Sequence, residues 1–142
     1  MRNVLALDLG TKTLGKAFYN KVTKIALPVG VFRFTAKHYF KARADVIKEI
    51  KVRNAEVIAL GLPLNSDGTE SERSESVRRF KHDLALETSL PIVLIDERYT
   101  TLEAQDRLHA LGYSSKTMKN KIDETSALII LETYLKKEEQ ND

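Results

Sequence analysis

Three acidic residues stand at places where the chain leaves or enters an apolar segment. Asp8 interrupts the apolar run from Val4 to Leu9, and Glu97 comes two residues after the run from Ile92 to Ile95. Asp123 precedes a third apolar segment. A carboxylate in apolar surroundings is costly unless it is paired, neutral or bound to a cation. Carboxylate oxygens suit Mg²⁺ or Mn²⁺, and two such ions can promote phosphodiester cleavage. The acids therefore predict a divalent-cation site if the fold brings them together.

Each acid also has a purely structural explanation. Asp8 can accept hydrogen bonds from the backbone of the turn that follows it. Glu97 and its neighbour Asp96 can favour the dipole of the next helix, and Asp123 can act as a helix N-cap. Strand alternation places Ile95 and Glu97 on one side of their strand and Asp96 on the other. Which side faces a ligand is not fixed by the sequence.

Basic residues precede the third acid. Lys116, Lys119 and Lys121 are interspersed with hydroxyl and amide side chains just before Asp123. Such a run suits phosphate contacts, although a solvated loop would have the same composition. A second basic group in residues 73–82 is diluted by acidic neighbours, which favours an exposed helix face.

The segment from Asp8 to Gly15 is the sharpest local pattern. It places an acid, a turn glycine and a hydroxyl-rich loop between two predicted strands. Such a loop can present backbone N–H groups to phosphate. The pattern suits both nucleases and the phosphate hairpin of actin-like kinases. Further along, Tyr99 beside Arg98 could stack on a base, but packing within the fold is the favoured interpretation.

Composition restricts the chemistry. The 142 residues predict one domain over 1–142, and 42% hydrophobic with 30% charged residues is typical of a globular protein. Cysteine is absent, which excludes disulfides, thiolate nucleophiles and iron–sulfur clusters and is compatible with the cytoplasm. The longest apolar run, Ala127 to Leu131, is too short to cross a membrane. The net charge of +3 permits a polyanionic partner without requiring one.

Apolar patterning predicts an α/β fold with the element order βββαβαβαα. Three successive strands with short connections imply an antiparallel meander, and the later strand–helix–strand alternation implies parallel crossovers. The result is a mixed five-stranded sheet with helices on its faces. The predicted strands are Val4 to Leu9, Leu14 to Tyr19, Ile25 to Phe34, Val57 to Leu60 and Ile92 to Ile95.

Helical spacing identifies the residues expected to define the helices between these strands. They are Phe40, Ala44, Ile47 and either Ile50 or Lys51 in the first helix, Val77, Phe80 and Leu84 in the second, Leu102, Gln105, Leu108 and Leu111 in the third, and Ala127, Ile130, Leu131 and Tyr134 in the fourth.

With these pieces placed, nearly the whole chain resembles the YqgF-type family, whose members are described as Holliday junction resolvases or pre-16S rRNA nucleases. The most specific part is the block Asp96-Glu97-Arg98-Tyr99-Thr100-Thr101 and its spacing to Asp123. The other matching residues are Asp8-Leu9-Gly10 with Gly15, Gly61-Leu62-Pro63 with Asp67-Gly68, Ala104, Lys119, Lys121 and Ala127. The family usually carries Lys-Arg where this chain has Lys12-Thr13, so one phosphate-contacting arginine is missing.

The resemblance implies a ribonuclease H-like fold and cleavage of structured nucleic acid, either precursor ribosomal RNA or branched DNA. It implies that Asp8, Glu97 and Asp123 are the catalytic, metal-binding triad for Mg²⁺ or Mn²⁺, with two ions expected. The residues expected to hold the phosphate backbone are Lys12, Thr13, Arg98, Lys116, Lys119 and Lys121.

Two other function classes stay open at this point. A noncatalytic nucleic-acid-binding or ribosome-assembly factor would keep the fold and bind without cutting. A phosphotransferase related to actin-like kinases is disfavoured, because those enzymes need two such domains and 142 residues supply one. The oligomeric state is also open: a homodimer would suit paired cuts in a four-way junction, and a monomer would suit RNA trimming.

Overall fold

Five strands form one mixed sheet in the order β3-β2-β1-β4-β5. The computed structural model describes residues 1–141, so Asp142, the last residue of the predicted domain, lies outside the described residues. Strands β1, β2 and β3 pair antiparallel, whereas β1, β4 and β5 pair parallel. The predicted mixed sheet is therefore confirmed. The strands are β1 (Val4–Leu9), β2 (Thr13–Asn20), β3 (Ile25–Arg33), β4 (Val57–Leu62) and β5 (Ile92–Asp96).

Four α-helices complete the predicted order. They are α1 (Tyr39–Arg53), α2 (Glu72–Ala85), α3 (Thr100–Ala110) and α4 (Ile122–Asn141), with a short 3-10 helix at Met118–Asn120 before α4. Helix α2 begins with a capping box between Ser71 and Ser74, and α3 ends just before Gly112, whose φ of 98° suits glycine. Within residues 1–141, no helix combines the length and apolarity that crossing a membrane requires.

The two faces of the sheet pack against different helices. Large side chains such as Leu5, Leu7 and Phe80 fill the core between the sheet and the pair α1 and α2. On the opposite face the strands present smaller residues, including Ala6 and Ala59, against α4. Small strand residues allow a helix to approach the sheet closely, and this close approach fixes the position of the α4 N-terminus.

The predicted buried faces of α1 and α3 are wrong in part, because Ile47 packs against the core and Leu108 is buried as predicted but other positions are not. In α1, Phe40 is 57% exposed, and the buried positions are instead Ala42, Val46 and Glu49. Glu49 is buried because it joins ion pairs, and a charged residue on the inner face hides the helical pattern from hydrophobicity alone. In α3, Leu102 and Leu111 are exposed, whereas Thr100, Ala104 and Leu108 are buried.

Candidate active site

Asp8 lies near the end of β1, the central strand of the sheet. It shares its face of the strand with Ala6, which packs in the core beneath α4. Its partner across the antiparallel ladder is Gly15 of β2. A glycine beside Asp8 leaves room above the sheet for another part of the chain.

Helix α4 uses that room. A Cβ atom built on Gly15 would lie 2.2 Å from the backbone oxygen of Asp123, closer than real Cβ atoms come. The first turn of α4 therefore rests directly on Gly15, which brings Asp123 beside Asp8. Helix α4 begins at Ile122, so Asp123 is its second residue and not the N-cap that the sequence suggests.

Glu97 reaches the same place from β5. Its backbone N–H donates to the carbonyl oxygen of Leu62 at 3.2 Å, which ties the end of β5 to β4. A Cβ atom on Gly61 would lie 2.8 Å from Oε2 of Glu97 and 2.5 Å from Cδ1 of Ile130 in α4. Glu97 thus faces α4, as Ile95 does, and Asp96 is exposed, as strand alternation predicts.

The electrostatics of this cluster are unfavourable to carboxylates. Burial, reinforced by the charge of Asp123, raises the pKa of Asp8 to about 6. Burial, the charge of Asp8 and a hydrogen bond with Asp8 raise the pKa of Glu97 to about 9. At neutral pH, in the absence of a cation, Glu97 is therefore protonated and donates its hydrogen bond to an ionised Asp8.

The donor set fits a hard divalent cation. Oε1 of Glu97 is buried and has no hydrogen-bond partner among residues 1–141. An unpartnered buried carboxylate oxygen is costly, and a cation would satisfy it. Mg²⁺ and Mn²⁺ take oxygen ligands of this kind. In the described part of the chain, however, no three acidic or imidazole side chains already stand at metal-binding spacing. Cation binding would therefore replace the hydrogen bond between Glu97 and Asp8.

The three acids line one open cleft of about 440 Å³. Three of the six residues predicted to bind nucleic acid, Lys12, Thr13 and Arg98, line it too. Arg98 pairs with Asp96, its Nε donating to Oδ2 at 2.8 Å. The full lining is Asp8, Gly10, Thr11, Lys12, Thr13, Pro63, Leu64, Arg73, Glu97, Arg98, Tyr99, Thr101 and Asp123.

The other three predicted basic residues lie outside this cleft. Lys116, Lys119 and Lys121 are exposed on the segment before α4 and do not line the cavity. Nζ of Lys121 lies 3.3 Å from Oε1 of Glu124. Their predicted phosphate contacts stay a prediction, because a substrate would have to extend beyond the cleft to reach them.

Arg73 lines the cleft although its sequence position suggested only an exposed helix face. Its Nη2 donates to the carbonyl oxygen of Leu9 at 2.6 Å, at the end of β1. Its positive charge opposes the rise in pKa of both Asp8 and Glu97. One feature of the sequence could have pointed to Arg73 as a cleft residue, because it stands in the first turn of the helix that follows the Gly61-Leu62-Pro63 segment. Only the placement of α2 beside β1 reveals the contact.

Tyr99 also lies in the cleft wall, and the favoured interpretation that it packs inside the fold is wrong. It is 63% exposed, and its hydroxyl donates to the carbonyl oxygen of Ser66 at 3.4 Å. Its backbone has a φ of 64° where the chain turns from β5 into α3. This left-handed conformation is uncommon for a bulky residue and holds the ring at the surface.

Comparison with known proteins identifies the family. The family model described as "RuvX: Holliday junction resolvase" matches residues 2–137. The chain belongs to the RuvX family. Similar relatives include proteins named "Putative pre-16S rRNA nuclease" from Anaeromyxobacter sp., 36% identical over 92% of this chain and 94% of the relative, and from Proteus mirabilis, 35% identical over 96% and 97%.

Solved structures place this RuvX-family chain in the ribonuclease H-like fold, as the sequence resemblance implies. The structure described as "T. thermophilus RuvC in complex with Holliday junction substrate" matches with a TM-score of 0.59 and 14% identity over 94% of this chain and 95% of that one. The fowlpox virus Holliday junction resolvase matches with a TM-score of 0.56 and 10% identity over 94% and 99%. At these identities the likeness concerns the fold.

Proposed function

We propose that this RuvX-family chain is a divalent-metal-dependent nuclease that acts in the cytoplasm on structured nucleic acid, either precursor ribosomal RNA or branched DNA. The observation that carries the proposal is the acidic cluster itself. Asp8, Glu97 and Asp123 come from three separate elements, and one buried oxygen of Glu97 lacks a partner within residues 1–141. An arrangement that is unfavourable without a cation is expected where a cation is part of the function.

In this proposal the three carboxylates hold Mg²⁺ or Mn²⁺, with two ions expected. When bound, such ions activate a water and stabilise the leaving oxygen of a phosphodiester. Asp8 takes the central position because it lies between the other two acids. Glu97 gives up its proton on cation binding, which frees its oxygens from the hydrogen bond with Asp8.

Basic and hydroxyl side chains in the cleft wall position the substrate. Lys12 lies in the β1–β2 turn and Thr13 is the first residue of β2, and Arg73 and Arg98 line the same cleft. Arg73 is the strongest positioning candidate among them, because its guanidinium is anchored on Leu9 and is not neutralised by a carboxylate within residues 1–141. Lys116, Lys119 and Lys121 would contact phosphates farther from the cut.

A nuclease assay tests this proposal. Purified protein is incubated with a synthetic four-way junction, a duplex, single-stranded DNA and a precursor rRNA fragment, each with Mg²⁺, Mn²⁺ or EDTA. The proposal expects cleavage of at least one structured substrate that depends on the divalent ion. Cleavage at the same rate in EDTA, or at the same rate by Asp8→Asn protein, would refute it.

A noncatalytic binding factor is the second candidate, because the three acids do not stand at metal-binding spacing within residues 1–141. Calorimetric titration with Mn²⁺ separates the two. Binding that is lost in the Asp8→Asn variant supports the nuclease. No binding to the unaltered protein, combined with tight binding of nucleic acid, supports the factor.

A further inference from the structure

The cleft that holds the acids continues as a groove across the surface of α2. A second cavity of about 240 Å³ shares Gly10, Thr11 and Arg73 with the cleft. A third cavity of about 370 Å³ shares Lys37, Tyr39 and Ser76 with the second. The three cavities form a chain that leads from the acids, between α2 and the N-terminus of α1, toward Phe40. We call the second and third cavities together the α2 groove.

Basic side chains outnumber acidic ones in the α2 groove. Lys37 and Arg79 line it, and neither forms an ion pair with any residue in 1–141. Two acids, Glu72 and Asp83, also line it. Asp83 lies 3.8 Å from Arg43, so that its charge is partly offset. Including Arg73 at the entrance, the groove presents basic groups along its length.

The spacing of these groups suits a nucleic-acid strand. Arg73, Ser76 and Arg79 stand three residues apart, so each lies next to the following one on a row that runs obliquely across the surface of α2. Six helical residues span about 9 Å along the axis, which exceeds the rise of about 3.4 Å per nucleotide in a stacked strand, so the two arginines can contact different phosphates of one strand. Arginine and serine side chains are both among the groups that donate hydrogen bonds to phosphate oxygens.

An exposed aromatic pair closes the far end of the groove. Phe40 is 57% exposed and stacks against His38, with ring centroids 5.7 Å apart. Exposed aromatic side chains next to a basic groove provide surfaces on which bases stack, independent of their sequence.

We propose that the α2 groove binds the phosphodiester backbone of a single strand that continues from the acidic cleft, with a base stacked on Phe40. This inference rests on the proposed nuclease function and extends it, because it gives the substrate a direction: one strand leaves the cleft along α2 and away from the lysines before α4. A strand that spans both cavities contacts the protein over several nucleotides beyond the scissile bond.

The test measures binding without cleavage. Fluorescently labelled single-stranded RNA and DNA of the same sequence, from 4 to about 20 nucleotides, are titrated with protein in EDTA, and gels verify that the probes stay intact. The groove variant is Lys37→Gln/Arg79→Gln, and Phe40→Ala is measured separately. Arg78→Gln is the matched control, since Arg78 neighbours Arg79 but pairs with Glu70 at 2.6 Å outside the groove. Circular dichroism checks that each variant is folded.

Loss of two phosphate contacts should raise Kd for the long probes by about tenfold at 0.1 M salt and lower the salt slope by about 1.4. Probes too short to leave the cleft should be affected little, and Phe40→Ala should weaken binding of the long probes by several-fold. The control should match the unaltered protein. An equal Kd for the groove variant and the control on long probes would overturn the proposal.

This result is separable from the nuclease proposal. If the unaltered protein cleaves none of the substrates but the groove variant binds the long probes more weakly than the control, the groove proposal stands and the nuclease proposal is refuted. If the unaltered protein shows metal-dependent cleavage but the groove variant binds as tightly as the control, the nuclease proposal stands and the groove proposal is refuted. RNA and DNA probes share the backbone chemistry, so a preference for one of them identifies the substrate class.

Discussion

On the face of the sheet that packs against α1, buried Lys16 pairs with the acids Asp45 and Glu49, whereas the half-buried charged cluster on the face that packs against α4 consists of the acids Asp8, Glu97 and Asp123. Nζ of Lys16 lies 2.8 Å from Oδ2 of Asp45 and 3.6 Å from Oε1 of Glu49. Burial opposes ionisation of Glu49, but Arg53 and Lys16 together hold its pKa below the usual value. This α1-side cluster is internally compensated.

The α4-side cluster of Asp8, Glu97 and Asp123 lacks such compensation. Arg73 supplies the nearby positive charge, and it bonds to a backbone carbonyl and not to an acid. The pKa values of Asp8 and Glu97 are raised, to about 6 and about 9, where that of Glu49 is lowered. The two clusters therefore differ in their counter-charge. The α1-side cluster contains it in Lys16, whereas the α4-side cluster needs a cation that residues 1–141 do not supply.

The largest expected effect comes from breaking the compensated cluster. Lys16→Met leaves Asp45 without an ion-pair partner among residues 1–141 and leaves Glu49 with Arg53 alone, and removing one member of a buried ion pair costs about 3–5 kcal/mol of unfolding free energy. Urea denaturation at pH 7 measures it. Lys48→Met is the control, because Lys48 is an exposed lysine of α1 without an ion pair in residues 1–141, and its effect should stay within about 0.5 kcal/mol. A loss below about 1 kcal/mol for Lys16→Met would show that the α1-side cluster is not the compensated one.

Removing a charge from the uncompensated cluster should have the opposite effect on stability. Asp8→Asn relieves repulsion, so the Tm measured in EDTA at pH 8 should rise. Cleavage should fall by more than about 100-fold, since loss of even an outer partner of a metal ligand costs about 10–100-fold. The exposed Asp106→Asn is the control and should change neither quantity. A variant that keeps its activity, or that loses stability, would contradict the assignment of Asp8.

The strands and their order along the chain were predictable because short apolar segments of four to ten residues between turn signals leave few alternatives. Helix faces were predictable only where burial follows hydrophobicity, as in α2 and α4. In α1 the buried Glu49 breaks that relation, because its partner Lys16 comes from a strand 33 residues earlier and the pairing is invisible in a local pattern.

The candidate site was predictable to a similar extent. Acids at strand ends drew attention to Asp8 and Glu97, but their proximity depends on Gly15 and Gly61. The need for glycine at those two positions appears only once the strand register and the place of α4 are known. Arg73 was not predictable for the same reason, since its role follows from how α2 lies against the end of β1.

The two clusters should also lower the stability of the fold at opposite ends of the pH range. Groups whose pKa is raised on folding, such as Asp8 and Glu97, hold more protons in the folded state, so stability falls as pH rises from about 4 through about 6 and about 9. Glu49, whose pKa is lowered, contributes stability that is lost as pH falls below its usual value of 4.5. Thermal denaturation in EDTA from about pH 2.5 to about pH 10 covers both the acid loss of stability from Glu49 and the alkaline loss from Asp8 and Glu97.

Binding of a divalent metal should remove the loss of stability at alkaline pH and leave the loss at acidic pH unchanged. Mn²⁺ at 100 times its Kd adds about 2.7 kcal/mol to the free energy of unfolding, and this gain should grow with pH as Glu97 loses its proton. The Asp8→Asn variant should show a flatter alkaline limb and no gain from the metal. If the loss of stability at alkaline pH is the same in the Asp8→Asn variant as in the unaltered protein, groups other than this cluster cause it.

The smallest effects are expected from the two glycines that let the acids meet, and they should differ from each other. An added methyl group on Gly15 meets a backbone oxygen of α4 at 2.2 Å, whereas one on Gly61 meets the flexible tip of Ile130 at 2.5 Å and the Glu97 carboxyl group. Overpacking costs about 1–3 kcal/mol, and backbone yields less readily than a side-chain tip. Gly15→Ala should therefore lose more stability in urea than Gly61→Ala.

Both glycine variants should also weaken Mn²⁺ binding measured by calorimetry. Gly15→Ala should do so by displacing Asp123, and Gly61→Ala by displacing Glu97. Equal stability of the two variants, with unchanged metal affinity, would mean that the acids do not depend on these close approaches.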